Sequence, residues 1–235
     1  MSGFDICRVA SIRCAVEPYR WDYAEAKDGE IRAHWAELSV RKTSVFDGRV
    51  MLMHRHSIMD GVLRGACFET AFSRFMAWRD FGFEDDSVRN LFGMAALRAA
   101  DGAFLVGEMG GHTASAGKVY FPAGTPDPND VSDGQLDLAG SVLRELEEET
   151  GLPPTAVTVV PGWTLVMGGP RIACMREVLL DGGADEAAFA INEAIAAQAD
   201  PELSAVHVVR SLKEARRYDM PEFMLAYLGH AFEGG

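Results

Sequence analysis

The sequence predicts an α+β fold with a mixed sheet, and three observations predict it. Through the second half of the chain, strand-like runs of β-branched and aliphatic residues alternate with segments of helical period, the pattern of helices layered on a sheet. The first part reads instead as short strands separated by turn signals. Hydrophobic residues make up 48% of the 235 positions and charged residues 24%, the balance of a globular protein that buries a core.

In the first part, residues 6–16, 31–41, 49–58 and 62–68 read as a run of antiparallel strands. Turns are expected at Lys27-Asp28-Gly29, Asp47-Gly48 and Asp60-Gly61. Residues 69–81 change to helical spacing, with Ala71, Phe72, Phe75, Met76 and Trp78 on one broad apolar face. The polar stretch 85–90 places a boundary near residue 88. This gives a β-rich N-terminal section with one helix (1–88) and a second domain (89–235). In the latter, residues 93–97 and 103–107 flank Asp101-Gly102 as a hairpin, and a Gly-rich stretch at 109–117 precedes a short strand at 118–122. Residues 123–134 carry Pro126, Pro128 and several Asp and Asn, the composition of a loop. A helix over 136–150 ends at Gly151, a residue suited to a left-handed cap. Paired strands at 155–166 and 171–180, an Ala-rich helix at 184–199, a strand at 205–209 and an amphipathic helix at 221–232 complete the chain.

Thirty-five acidic residues against 22 basic ones give a formal charge of -13, which repels polyanions and argues against a general nucleic-acid-binding role. Cys7, Cys14, Cys67 and Cys174 form no Cys-x-x-Cys pair, so neither a zinc ribbon nor a disulfide framework is expected. There is no basic segment leading into an apolar run at the start, and no uncharged apolar stretch of about 18 residues. The expectation is a cytoplasmic protein that does not engage a membrane.

The chemistry concentrates in Arg144-Glu145-Leu146-Glu147-Glu148-Glu149-Thr150-Gly151-Leu152. On a helix, residues three and four apart share a face, so Glu145, Glu148 and Glu149 project together and Glu147 points elsewhere. A charge run is most often a solvated helix face. Three clustered carboxylates repel one another, however, and a hard divalent cation such as Mg2+ or Mn2+ offsets that repulsion while accepting phosphate oxygens.

The segment resembles the second half of the Nudix box, Gly-x5-Glu-x7-Arg-Glu-u-x-Glu-Glu-x-Gly-u with u a bulky aliphatic, and matches it throughout from Arg144 onward. The resemblance implies a Nudix-type α/β/α sandwich and a metal-dependent hydrolase acting on the phosphoanhydride bond of a nucleoside-diphosphate-linked small molecule. It implies Glu145, Glu148 and Glu149 as metal ligands, with Glu145 alternatively orienting or deprotonating the attacking water. Arg144 would hold the carboxylates by charge-assisted hydrogen bonds, and Gly124 would open the box. The first half departs from the pattern. Five residues separate Gly124 from Asp130, but thirteen separate Asp130 from Arg144, an insertion of about six. Leu136 stands where the box has Glu. Asp137 is the first choice for the displaced acid and equally reads as a helix N-cap; Asp130 is the third choice. The layout is also similar to UDP-glucose and UDP-galactose diphosphatases with a lengthened loop, which points to a UDP-sugar. ADP-ribose, NADH or a coenzyme A derivative is the alternative substrate, and a non-catalytic ligand sensor of the same fold the alternative function.

Around the expected site, His112 in the Gly-rich loop and the cations Lys118 and Arg171 are candidates for substrate contact, and Glu177 or Glu193 for a further carboxylate. His54 and His56, two apart in a strand, face one side and read as an exposed or hydrogen-bonded strand face rather than a metal site. Phe72, Phe75 and Trp78 read as core or interface, and Cys174 as a buried structural thiol. The first 88 residues would shape the pocket, pack against the second domain or form a homodimer interface.

Overall fold

The first extended run breaks at Ala10, and the break sends its two halves into different sheets. The computed structural model describes residues 3–41 and 45–234. In chain order the elements are β1 (Asp5–Val9), β2 (Ser11–Val16), α1 (Asp22–Ala26), α2 (Asp28–Arg41), β3 (Arg49–Met59), β4 (Val62–Ala71), α3 (Phe72–Asp80), β5 (Asn90–Ala99), β6 (Phe104–Met109), β7 (Val119–Tyr120), β8 (Val131–Ser132), β9 (Gln135–Leu136), α4 (Leu138–Thr150), β10 (Thr158–Val159), β11 (Trp163–Gly168), β12 (Arg171–Leu180), α5 (Ala184–Ala197), β13 (Leu203–Val209), α6 (Leu212–Ala215) and α7 (Glu222–Glu233).

The larger sheet has the order β1-β11-β12-β5-β6-β13, with β7 beside β6 and β10 beside β12. It is mixed: β5 and β12 run parallel, in register from Asn90 and Arg171 to Ala99 and Leu180, and the other pairs are antiparallel. Both faces are covered, which is why β5 is a nearly continuous apolar run. On one face Leu91, Ala95 and Leu97 pack with Val142 and Leu146 of α4 and Ile191 of α5. On the other, Phe92, Met94 and Ala96 pack with Phe223, Met224 and Tyr227 of α7. The expected α+β class and helix–sheet–helix sandwich are thus present.

The smaller sheet has the order β3-β4-β2-β9-β8. Its inner face, with Cys14, Met51, Met53 and Leu63, joins the core of α4 and the larger sheet. Its outer face, with Val50, Leu52 and Phe68, is covered by Ile31 and Leu38 of α2 and by Phe75, Met76 and Trp78 of α3. Cys14 and Cys67, far apart in the chain, touch here with sulfurs 2.8 Å apart; both are free thiols.

Three expectations for the first part are corrected. Residues 31–41 belong to helix α2, because Ile31, His34, Trp35 and Leu38 recur at i, i+3, i+4 and i+7 and form its inward stripe. The strands are not all antiparallel, since β2 runs parallel to β4 with α1, α2 and β3 in the connection. His54 and His56 do not share a face: the ladder between β3 and β4 shifts register between Met53 and Arg55, and this bulge absorbs His54. His54 instead stacks on Tyr19 with ring centroids 4.2 Å apart. The sheets also cross position 88 in both directions, with β1 in the larger sheet and β8–β9 in the smaller.

Candidate active site

Helix α4 is fixed at both ends and along its inner stripe. Asp137 caps it, its Oδ1 accepting from the Gly140 amide at 2.9 Å. Gly151, with φ 73°, closes it by donating its amide to the Glu147 carbonyl at 2.8 Å. Leu138, Val142 and Leu146 are buried, each contributing about 1.5–3 kcal/mol by the usual transfer values. This anchoring determines where the acids on the other side of the helix point.

The acids lie in two unlike settings. Arg144 gathers the first. Its Nη2 donates to Asp130 Oδ1 at 2.9 Å, and its Nη1 lies 2.9 Å from Glu145 Oε1 and 3.1 Å from Glu148 Oε2. The Asp130 side chain is 3% exposed, and its Oδ2 accepts from the Asp127 amide at 3.0 Å, so the carboxylate is held from both sides. Glu148 is exposed to solvent. In the second setting, Glu149 is 4% exposed, and neither carboxylate oxygen has a well-aligned hydrogen-bond partner. Burial raises its pKa well above the usual carboxylate range, and the charges of Glu145 and Glu202 push it further; the Ala123 amide acts in the opposite direction. Glu145 lies between the settings. Its pKa is pushed up to about 7, chiefly by burial, with Arg144 opposing and Glu148, Glu202 and Asp130 adding to the rise.

Glu145 and Glu202 line a cavity of about 700 Å3. Phe46, Arg49 and Phe72 contribute to its walls from the N-terminal section, so those residues do shape a pocket beside α4. Gly124 also lines it, and a Cβ at this position would stand 2.3 Å from Glu145 Oε1. The backbone at Gly124 can run against the glutamate only because no side chain intervenes. His112 is in the same cavity, its Nε2 3.7 Å from Asp200 Oδ1. Lys118 lies in an adjoining cavity, and both Asp219 oxygens bind its Nζ at 2.7 and 2.8 Å.

Of the two readings of Asp137, the structure shows the helix cap. Arg144 is bound by Asp130, whereas Asp137 acts as the helix cap. Residues 131–136 explain the lengthened spacing. They form the small hairpin β8–β9, turning at Asp133 (φ 51°) and Gly134 (φ 71°). The Asp137 amide donates to the Asp130 carbonyl at 2.7 Å across its base. With this hairpin set aside, residues 137–143 separate Asp130 from Arg144, and those seven equal the spacing in the motif that the segment resembles. The signal was available: Asp130 already stood five residues beyond Gly124, and Asp133-Gly134 is a strong hairpin dipeptide.

Glu202 was not identified as a candidate. It immediately precedes β13, whose antiparallel pairing with β6 carries it to the acids of α4. Of the two carboxylates expected to play that part, Glu177 is engaged with Arg98, 3.3 Å away, and Glu193 is on α5. Among the described residues no three His, Cys, Asp or Glu side chains stand close enough together to hold an ion as they are. The donor chemistry nevertheless fits a hard divalent cation. A buried carboxylate with two unpartnered oxygens, flanked by two further acids, lacks a positive counterpart. Enclosing an ion would require new rotamers at Glu145 and Glu148, the latter being free to move in solvent.

No family model matches the chain, and no curated protein matches it. Solved structures with some likeness include a Nudix hydrolase from M. smegmatis, 14% identical with a TM-score of 0.39 over 61% of this chain and 83% of that one. A C. elegans Ap4A hydrolase in a binary complex is 14% identical with a TM-score of 0.42, over 61% and 93%. A Nudix-family hydrolase from Clostridium perfringens is 13% identical with a TM-score of 0.38, over 62% and 97%. At such scores the likeness is too loose to assign an activity to this chain.

Proposed function

We propose that the chain is a Nudix-type hydrolase that cleaves the diphosphate bond of a nucleoside-diphosphate-linked compound, with a UDP-sugar as the first substrate to test. The observation that carries this reading is Glu149, buried on the Arg-Glu-x-x-Glu-Glu helix with two unpartnered oxygens beside Glu145 and Glu202. An isolated carboxylate in that position is costly unless a cation or a proton accompanies it. Glu145, Glu148 and Glu149 would hold Mg2+ or Mn2+. Such an ion, when bound, neutralises diphosphate oxygens and lowers the pKa of a bound water. Arg144 keeps Asp130, Glu145 and Glu148 in register by charge-assisted hydrogen bonds. Glu145, with a pKa near neutrality, is suited to orient the attacking water or accept its proton. In this reading residues 89–235 carry the chemistry, and residues 1–88 complete the pocket through Phe46, Arg49 and Phe72.

The test is a panel of UDP-glucose, UDP-galactose, ADP-ribose, NADH and coenzyme A derivatives with Mg2+ or Mn2+, scored by release of nucleoside monophosphate. UMP release from UDP-glucose, lost in Glu148→Gln, is expected. Turnover of ADP-ribose alone would overturn the UDP-sugar assignment, and turnover of none would overturn the enzyme in favour of a ligand sensor.

A further inference from the structure

Beside the acidic cavity lies a second one of about 520 Å3, bounded by α3, the starts of β5 and β12, and the N-terminus of α7. Its character is the reverse of the first. Arg171 and Asn90 are register partners in the parallel pairing of β12 and β5, so their side chains emerge side by side from one face of the sheet. Arg171 lies over the ring of Phe83, 4.6 Å from its centroid, and among the described residues it pairs with no carboxylate. Burial lowers its pKa, and the neighbouring charge of Arg79 lowers it further. In a chain carrying 35 acids, Arg171 has no anion at this cavity wall among the described residues, while Arg79 beside it gives its Nε to Asp80 Oδ1 at 2.8 Å. Asn90 is 9% exposed, and its Oδ1 has no partner. An acceptor left in that state is unfavourable until a donor arrives. Phe72 and Phe223 supply aromatic surface in the same cavity, and Phe92 meets Phe223 edge-on at 5.5 Å. Lys118 adds little attraction for an anion, because Asp219 already neutralises it.

We propose that this cavity is a metal-independent subsite for a nucleoside monophosphate group: its phosphate on Arg171 and Arg79, its base against Phe72 and Phe223, and a base N–H donated to Asn90 Oδ1. The inference rests on the hydrolase reading and deepens it. The two cavities share Tyr120, Ala123, Gly124 and Thr125, so a diphosphate lying across that common wall leaves its nucleoside half here and presents its anhydride to the acids of α4. The volume is of the size that small-molecule sites occupy.

The test separates the two readings because it removes the metal. Binding of UMP, AMP, CMP and GMP, of the corresponding nucleosides and of inorganic phosphate is measured by calorimetry on the full chain in EDTA. At least one monophosphate is expected to bind about tenfold or more tightly than both its nucleoside and inorganic phosphate. Arg171→Ala is expected to weaken it about ten- to one-hundred-fold, as loss of a charge-assisted contact does. Arg171→Lys, which keeps a cation, is expected to lose less. Should Arg171→Ala fail to fold by circular dichroism, Arg79→Gln carries the test, with a loss of about tenfold expected. A monophosphate bound no better than phosphate, affinity unchanged in both arginine variants, or binding that needs Mg2+ would each overturn the subsite. Binding in EDTA without turnover in the substrate panel supports the subsite and overturns the hydrolase; turnover without binding in EDTA does the opposite.

Discussion

The two halves of the acidic face of α4 use the same residue type for different ends. Toward Arg144, three acids share one guanidinium, and Asp130 receives an additional backbone hydrogen bond, so the charges are largely balanced within the protein. Toward Glu149, Glu145 and Glu202 face a buried carboxylate that, among the described residues, no basic side chain pairs with. The first half is a clamp that is complete in itself, and the second is an electrostatic vacancy that a proton or a cation fills. A run of glutamates therefore does not meet a single environment: Glu148 sits in solvent beside a guanidinium, and Glu149 is buried without one.

The largest effect is expected at the vacancy. Glu149→Gln should lower metal-dependent hydrolysis about a thousandfold, roughly 4 kcal/mol of transition-state stabilisation, while raising the melting temperature in EDTA by removing an unpaired buried acid. A variant keeping more than a tenth of the activity, or one less stable in EDTA, would erase the difference between the halves.

The next effect concerns Glu145, which lies between them. Its folded pKa of about 7 is raised above the ordinary 4.5, so the folded protein takes up its proton more readily than the unfolded chain does. The associated stability is fully present below about pH 4.5 and is lost as the pH rises through 7. The Glu145 share of that loss in chelated protein is about 3 kcal/mol by the linkage relation, and Glu145→Gln should remove that share while leaving the part due to Glu149. Denaturant titrations at closely spaced pH values measure it directly; a flat wild-type profile would place Glu145 with the balanced acids.

A smaller pair of effects tests the clamp. Asp130→Asn should cost about 2 kcal/mol, less than for a fully buried pair because Arg144 is partly solvated. Activity should fall with it as Arg144 loses its anchor. Asp137→Ala should cost about 1 kcal/mol, the value of a helix cap, with activity within about twofold. The reverse ranking in activity would return the loop acid to Asp137.

Much of this was legible in the sequence where chemistry and periodicity coincide. The Arg144–Leu152 segment carries both its helical spacing and its acids, and Gly151 marks its end. The strands β5 and β12 were legible as apolar runs because helices cover both faces of their sheet. What escaped depended on pairing at a distance. Helix α2 was mistaken for a strand although its stripe at Ile31, His34, Trp35 and Leu38 was present, because polar and small residues interrupt the apolar signal. His54 lost its shared face to a bulge that only the partner strand β4 reveals. Glu202 reaches the site through the pairing of β13 with β6, and nothing in its own neighbourhood announces that. The second cavity arises in the same way, since Arg171 and Asn90 become neighbours only through strand register.

The six-residue hairpin joins parts of the molecule that would otherwise be independent. Gln135 bonds with Ala15 in the smaller sheet, while the residues at the base of the hairpin are the acid that anchors Arg144 and the cap that starts α4. The hairpin backbone thus connects the N-terminal strands to the guanidinium's anchor. Loosening that seam by substitution at Ala15 would shift the clamp from behind, changing the acidic face by way of a residue two strands removed from it.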